Sequence, residues 1–383
     1  MSTPTIAIVG GSYAGTELAK KIDSLLKTKA NIVLIEEREA LYANTAALRS
    51  LTEPGFAEHV WVPYTSLLQN NPQSKVVQAR AVEVSEKEVK LSNGESVAFD
   101  YLVFATGSNV PSPGKTQKLT KAEGVKEANE IYEALKSASS IVIVGGGTVG
   151  VELAGEIATD LPGKKVTLIH GGATLLNRDK PTPSTVKQVN QQLAKLNVDV
   201  KLNQRIVSDS GEPILPGGNL HIGKLSLKTS SGESIESDVQ FLATGIVKPN
   251  SELAKSLGDV LDSTGYIQTE KTGQVKGFKN IFAVGDVSTL DTLKLAYAAG
   301  LHAVLVSANI AALIQNPSAA LKQYTPVVAG GLIVASIGRN GGVLQSPLGT
   351  FGAWTTKNIK SKHLFLPKKW TDLNLKSTYT PPK

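Results

Sequence analysis

The sequence predicts an α/β protein built from two Rossmann-like domains and a small C-terminal domain, and three observations predict it. A short apolar strand that runs into a glycine-rich turn and a helical pattern occurs twice. Each copy is followed, at nearly equal spacing, by a further apolar strand closing on Ala-Thr-Gly. At 383 residues the chain is also too long for one ordinary core.

The first copy opens on Thr5 to Val9, apolar in the manner of a parallel strand covered on both faces. It leads into Gly10, Gly11, Ser12, Tyr13, Ala14 and Gly15, then into a helical pattern over 17–26. A second strand over 31–35 ends at Glu36, the spacing at which a carboxylate accepts from a ribose hydroxyl. A buried strand over 101–104 precedes Ala105, Thr106 and Gly107. In the second copy, 141–144 leads into Gly145, Gly146, Gly147, Thr148, Val149 and Gly150; the strand over 165–169 ends at His170; and 239–242 precedes Ala243, Thr244 and Gly245. Ala105 stands 95 positions after Gly10, and Ala243 stands 98 after Gly145.

A single glycine-rich turn is a weak signal, but two in the same strand and helix context are not coincidence. The first glycine permits the tight turn, the second lets backbone amides approach a pyrophosphate, and the third lets helix and strand pack closely. Two such turns predict two bound dinucleotides. In the first copy Ser12 replaces the middle glycine, so its hydroxyl either donates to a phosphate or merely fits.

The chain has no cysteine, which excludes structural disulfides, thiolate metal sites, iron–sulfur ligation and any redox-active Cys pair. No metal site is expected. The formal charge is +7, yet 351–383 holds seven lysines (Lys357, Lys360, Lys362, Lys368, Lys369, Lys376, Lys383) against Asp372 alone, so the rest is nearly neutral. No apolar run approaches the roughly 20 residues that span a bilayer, and the start, Met1 to Pro4, leaves no room for a cleaved targeting peptide. The expected location is cytoplasmic, with peripheral contact to a membrane or lipid droplet left open.

The segment Asn280 to Asp286, an apolar strand closing on Gly285 and Asp286, resembles the flavin-binding element of two-dinucleotide-domain flavoprotein reductases. The resemblance implies that Asp286 accepts a hydrogen bond from the flavin ribityl chain. Residues 1–113 and 247–322 then form a discontinuous FAD domain, 114–246 an inserted NAD(P)H domain, and 323–383 a basic, aromatic C-terminal domain. At the end of the second copy's middle strand His170 stands where an acid is usual, with Arg178 and Lys180 near it. Because an acid there repels a 2'-phosphate and a neutral or cationic group does not, NADPH is expected to be accepted alongside NADH.

A narrower likeness rests on 44–49, 53–57, 166–170, 294–302, 308–310 and 337–340. These strings are similar to the ferroptosis-suppressor and apoptosis-inducing-factor-homologue flavoproteins, themselves similar to type II NADH dehydrogenases. That resemblance implies an FAD-dependent NAD(P)H:quinone oxidoreductase. It places Glu152 and Lys294 near the reacting rings, where Lys294 suits negative charge on the reduced isoalloxazine and Glu152 either pairs with Lys294 or orients the nicotinamide, and implies cofactor contacts at Arg49, Ala81 and Leu295. Animal members begin Met-Gly, the myristate acceptor; residue 2 here is Ser2, so that anchor is not expected. Other acceptors stay open, namely a small iron–sulfur protein partner, as does nucleic-acid binding through the basic tail. In that tail Phe351, Trp354, Ile359, Leu364, Phe365, Leu366 and Trp370 interleave with the lysines, a pattern that suits an anionic membrane surface or an ordinary packed domain.

Overall fold

The structure is a computed structural model that describes residues 3–110, 115–208, 214–216, 218–244, 248–327 and 330–381. Ser2, Gly245 and Lys383 lie outside the described residues.

The chain begins with β1 (Thr5–Val9), α1 (Tyr13–Leu26), β2 (Asn31–Glu36), β3 (Lys75–Gln78) and β4 (Tyr101–Phe104). After α2 (Lys121–Ser137) come β5 (Ser140–Val144), α3 (Thr148–Asp160), β6 (Lys165–Ile169) and α4 (Pro183–Lys195). β7 (Asp199–Lys201) and the long strands β8 (Leu220–Lys228) and β9 (Ser234–Leu242) complete that part. There follow β10 (Ile281–Ala283), α5 (Ala296–Gln315), β11 (Ile333–Ile337), β12 (Gly341–Ser346) and β13 (Gly349–Phe351). Finally α6 (Ala353–Thr356) runs on as a wider π-type turn, Lys357–Ser361, before α7 (Leu366–Asp372).

The first sheet has the order β10-β4-β1-β2-β3 and is parallel throughout. The second has the order β7-β6-β5-β9-β8, parallel except for β8 against β9. In each, the strand that precedes a glycine turn is central. The chain continues to one side of it and later returns on the other, so a crevice opens at the carboxyl ends of the central strands, where open α/β sheets bind ligands. β10, almost 180 positions beyond β4, lies beside it with Ile281 opposite Leu102, which carries Gly285 and Asp286 to the first crevice.

Burial follows the sequence pattern. Ile6, Ile8, Leu18 and Ile22 share one core with Phe282, Ala303 and Val306, and Ile141, Ile143, Val151, Ile157, Leu168 and Phe241 share another. α5 is long and apolar enough to cross a membrane, with a mean hydropathy of 1.7, but half of that stretch is buried in the protein. His302 and Asn309, both buried, interrupt its apolar run. The C-terminal segment contributes to both cores: Ile333, Ala335, Ile337 and Val343 to the second, and Leu364, Leu366, Trp370, Leu373 and Tyr379 to the first. Of the tail side chains suited to a membrane, Leu364, Leu366 and Trp370 are therefore packing residues, while Phe351, Trp354 and Ile359 are exposed.

Candidate active site

The two glycine turns superpose in their chemistry. Gly10 and Gly145 have φ of 107° and 121°, and a Cβ at either would sit 2.4 or 2.5 Å from the carbonyl oxygen of Ala105 or Ala243. The Ala-Thr-Gly elements are thus the walls against which the turns close. A Cβ at Gly15 or Gly150 would lie 1.8 Å from the carbonyl oxygen of Gly10 or Gly145, so helix and turn touch only because that position is bare. The amide of Gly11 donates to Glu36 Oε2 at 2.5 Å, and the amide of Gly146 donates to His170 Nδ1 at 3.2 Å. Glu36 and His170 therefore occupy equivalent places.

The helices that follow are left ready for an anion. α2 and α4 are capped by Thr120 and Thr182, whose side chains accept from Glu123 N and Thr185 N. α1 and α3, with Ser12 and Gly147 at their N-caps, have no side-chain cap and no acid in the first turn. Their first amides remain for phosphate oxygens at the positive helix end. Ser12 thus stands at the turn with its hydroxyl uncommitted to capping, and a Cβ at Gly147 would meet nothing within 4 Å. These features fit one dinucleotide at each turn. One carboxylate intrudes: Asp179 Oδ2 accepts from Thr148 Oγ1 at 3.0 Å, and burial raises its pKa.

Other expected cofactor residues divide. Ala14 and Gly285 meet, since a Cβ on Gly285 would be 3.2 Å from that of Ala14 and 3.7 Å from that of Ala299 in α5. Leu295 caps α5 at that junction. Asp286 Oδ2 accepts from Ser108 Oγ at 2.6 Å and lies 3.4 Å from Lys115 Nζ. Thr106 is locked to Asn250 by reciprocal hydrogen bonds of 2.6 and 3.0 Å, and Gly107, at φ 68°, follows. Ala81 sits half-buried at the start of a small antiparallel strand, shortly after Ala79 N donates to the Glu36 carbonyl. Tyr13 is engaged inside the protein: its hydroxyl meets Thr45, and Lys369 Nζ lies 4.5 Å from its ring centroid. Val149 is half-buried against the second core.

Three residues depart from expectation. Arg49 is fully buried and spends its guanidinium on Glu156, with Nε–Oε2 and Nη2–Oε1 both 2.9 Å, and on the carbonyls of Ser361 and Lys362. It ties 44–51 to α3 and the C-terminal segment, with four of its five N–H groups engaged inside the protein. Lys294 does not pair with Glu152. Its Nζ donates to the carbonyls of Ser288 and Asp291 at 2.8 and 2.7 Å and lies 4.1 Å from the Tyr266 ring centroid, because residues 288–294 loop back beneath it. Burial lowers the Lys294 pKa, against the pull of Asp286 and Asp291. The partner of Glu152 is Lys360, in the turn after α6: Nζ to Oε1 is 2.5 Å, Ser336 N donates to the same oxygen at 3.0 Å, and Lys360 also donates to the Val334 carbonyl. Both side chains are buried.

Sequence reasoning missed Lys360, Tyr64 and His302. Tyr64 donates to the Gly11 carbonyl at 2.7 Å, and burial raises its pKa so that it stays a donor. His302 Nδ1 accepts from Gly285 N at 3.1 Å, with the Tyr324 ring edge-on at 4.5 Å and Tyr324 in turn donating to Asp291. Burial lowers the His302 pKa to about 4. A histidine depressed from about 6.5 leaves stability intact above that pH, and the loss accumulates as pH falls to 4, reaching about 3 kcal/mol. Protonation also removes the acceptor that orients Gly285. Denaturation midpoints at pH 6.5 and 4.5 are expected to fall further for the wild type than for His302→Gln; equal falls would show that His302 does not titrate on unfolding.

At the second turn burial lowers the His170 pKa, so the ring is neutral at pH 7, and the charges of Arg205 and Arg178 act in the same direction. Arg205, also missed in the sequence, lies over Gly171, where a Cβ would be 3.2 Å from its Cζ. Neither arginine has a carboxylate partner among the described residues. His170→Asp is expected to raise the KM for NADPH more than that for NADH, by about tenfold, because a carboxylate there repels a 2'-phosphate. Equal changes in the two constants would remove His170 as a selector.

Two dinucleotide turns on two parallel sheets, with a glycine–aspartate strand returning to the first, define a flavoprotein oxidoreductase with two Rossmann-like domains and a small C-terminal domain. The family model for pyridine nucleotide-disulphide oxidoreductase matches residues 4–303. Apoptosis-inducing factor homolog B of Dictyostelium discoideum is 34% identical, over 96% of this chain and 96% of that protein. Ferroptosis suppressor protein 1 of Taeniopygia guttata is 36% identical, over 95% of this chain and 94% of that protein. The sulfide:quinone oxidoreductase of Aquifex aeolicus shares the fold, with a TM-score of 0.75 at 18% identity, over 97% of this chain and 92% of that one. The chain belongs to the pyridine nucleotide-disulphide oxidoreductase family, in the group of apoptosis-inducing factor homologues and ferroptosis suppressor proteins. It is a flavin-dependent NAD(P)H oxidoreductase, and its cofactors are FAD and NADH or NADPH. With no cysteine, it has no disulphide through which to relay electrons.

Proposed function

We propose that the chain is an NAD(P)H:quinone oxidoreductase, in which 1–113 and 247–322 hold FAD, 114–246 hold the nicotinamide nucleotide and 323–383 close the site. The observation that carries this reading is the buried contact of Glu152 with Lys360, in the first turns of the helix at the second dinucleotide turn. Reducing a quinone to a hydroquinone takes two electrons and two protons, one of them arriving with the hydride of NAD(P)H. In this reading the buried Lys360 ammonium, hydrogen-bonded to the Glu152 carboxylate, serves as hydrogen-bond and proton donor to the acceptor oxygen.

FAD, when bound, supplies the two-electron relay between nicotinamide and acceptor. Gly10, Gly11, Ser12 and the first amides of α1 suit its pyrophosphate, Glu36 a ribose, and Asp286, oriented through Ser108 and Lys115, the ribityl chain. Gly145 to Gly150 and His170 play the matching roles for NAD(P)H. Lys294 sits near the Gly285–Asp286 turn as a half-buried cation, a partner for negative charge on a reduced flavin ring.

Anaerobic NADPH oxidation by the purified holoprotein, with menadione, a short-chain ubiquinone or a small iron–sulfur protein as acceptor, tests the assignment. The quinones are expected to support turnover and the protein acceptor not. Turnover with the protein acceptor alone, or duplex DNA bound tightly at physiological salt by a chain that turns over neither quinone, would replace the reading.

A further inference from the structure

Between Asp291 and Asp372 the chain contains no acidic residue at all. Within that stretch the two most exposed large apolar side chains of the described structure lie close together in sequence: Leu348, 89% exposed at the tip of the β12–β13 hairpin, and Trp354, 80% exposed in α6. Phe351 and Ile359, 37% and 42% exposed, lie between and just after them. Of the tail lysines, Lys360 is spent on Glu152, and Lys368 and Lys369 on Asp372. Lys357, Lys362 and Lys376 have no carboxylate partner among the described residues and are half-buried or exposed.

We propose that the β12–β13 hairpin tip and the outer face of α6 seat the protein on an anionic lipid bilayer. Leu348, Trp354, Phe351 and Ile359 enter the interface, and Lys357 and Lys362 meet lipid phosphates and carboxylates. Tryptophan and leucine flanked by lysine have the composition of an interfacial anchor, and each lysine near an anionic surface contributes about 1 kcal/mol. Charge complementarity favours the lipid surface: the free lysines meet anionic headgroups, and no acidic residue over 292–371 repels them.

The inner face of the same short helical segment explains the placement. Thr356 and Ser361 pack on Gly342, Ser361 Oγ donates to the Gly341 carbonyl, and Lys360 reaches Glu152. The same short segment thus carries the exposed Trp354 on one side and the Glu152–Lys360 contact on the other. The seat goes beyond the quinone reading and does not depend on it, since vesicle binding is measured without turnover.

The test sediments the full FAD-loaded chain with phosphatidylcholine vesicles, with and without phosphatidylserine, and repeats this for Leu348→Ser/Trp354→Ser and for Lys357→Gln/Lys362→Gln. Wild type is expected to pellet with the phosphatidylserine vesicles and to be released by salt. The apolar double variant should bind about a hundredfold more weakly, about tenfold (about 1.4 kcal/mol) for each side chain withdrawn, with flavin content and menadione turnover in solution unchanged. The lysine double variant should lose the preference for phosphatidylserine. The proposal is overturned by wild type that pellets with neither vesicle, by an apolar double variant that pellets like wild type, or by one that changes only from dimer to monomer in light scattering. That last result would assign the patch to a second copy of the chain.

Discussion

Glu152→Gln is expected to lower kcat with menadione by about two orders of magnitude while the flavin remains bound, the scale on which positioned proton donors act. Glutamine keeps the shape and an oxygen that accepts from Ser336 N, so β11 stays docked on α3. What it loses is the charge that holds Lys360 Nζ in place. Lys360→Met should act in the same direction, and the double variant should be little worse than either single one, because the two side chains act as a unit. Stopped-flow traces with the flavin-to-protein ratio measured beside them check this. Turnover within about twofold of wild type would return the pair to a purely structural role.

Arg49→Met should cost about 3–5 kcal/mol of stability, the usual result of leaving one member of a buried ion pair behind. Glu156 is 1% exposed and takes both of its short contacts from Arg49, so nothing else among the described residues compensates its charge. Arg49→Met/Glu156→Leu should recover most of the loss, since replacing the whole pair with apolar groups is often neutral. Urea midpoints of the three proteins decide the matter. A single variant within about 1 kcal/mol of wild type would mean that solvent reaches Glu156.

The parts of the fold that local chain geometry dictates were legible in the sequence. Gly10 and Gly145, with Ala105 and Ala243 nearly equal distances on, announce the turns, and the structure supplies the reason: each glycine abuts that alanine's carbonyl. Glu36 and His170 were matched by position, and the matching amide contacts from Gly11 and Gly146 follow. Long-range contacts were not legible. Lys360 is 208 positions from Glu152, and in the sequence it is one of seven similar lysines in a basic tail. Arg49 sits in a string that likeness singles out, but likeness could not show its internal strap to Glu156. The tail's hydrophobic residues alternate with lysines too irregularly for a period to separate Trp370, buried beneath the His59 carbonyl, from Trp354, which faces solvent.

The visible spectrum of the dialysed protein, taken before and after anaerobic addition of NADPH and again after a quinone, tests the central claim most directly. Flavin bands at about one per chain, bleached by NADPH and restored by the quinone, are predicted. A colourless protein that takes up no FAD on refolding would contradict the assignment of the first turn, and a flavin that NADPH leaves oxidised would contradict that of the second.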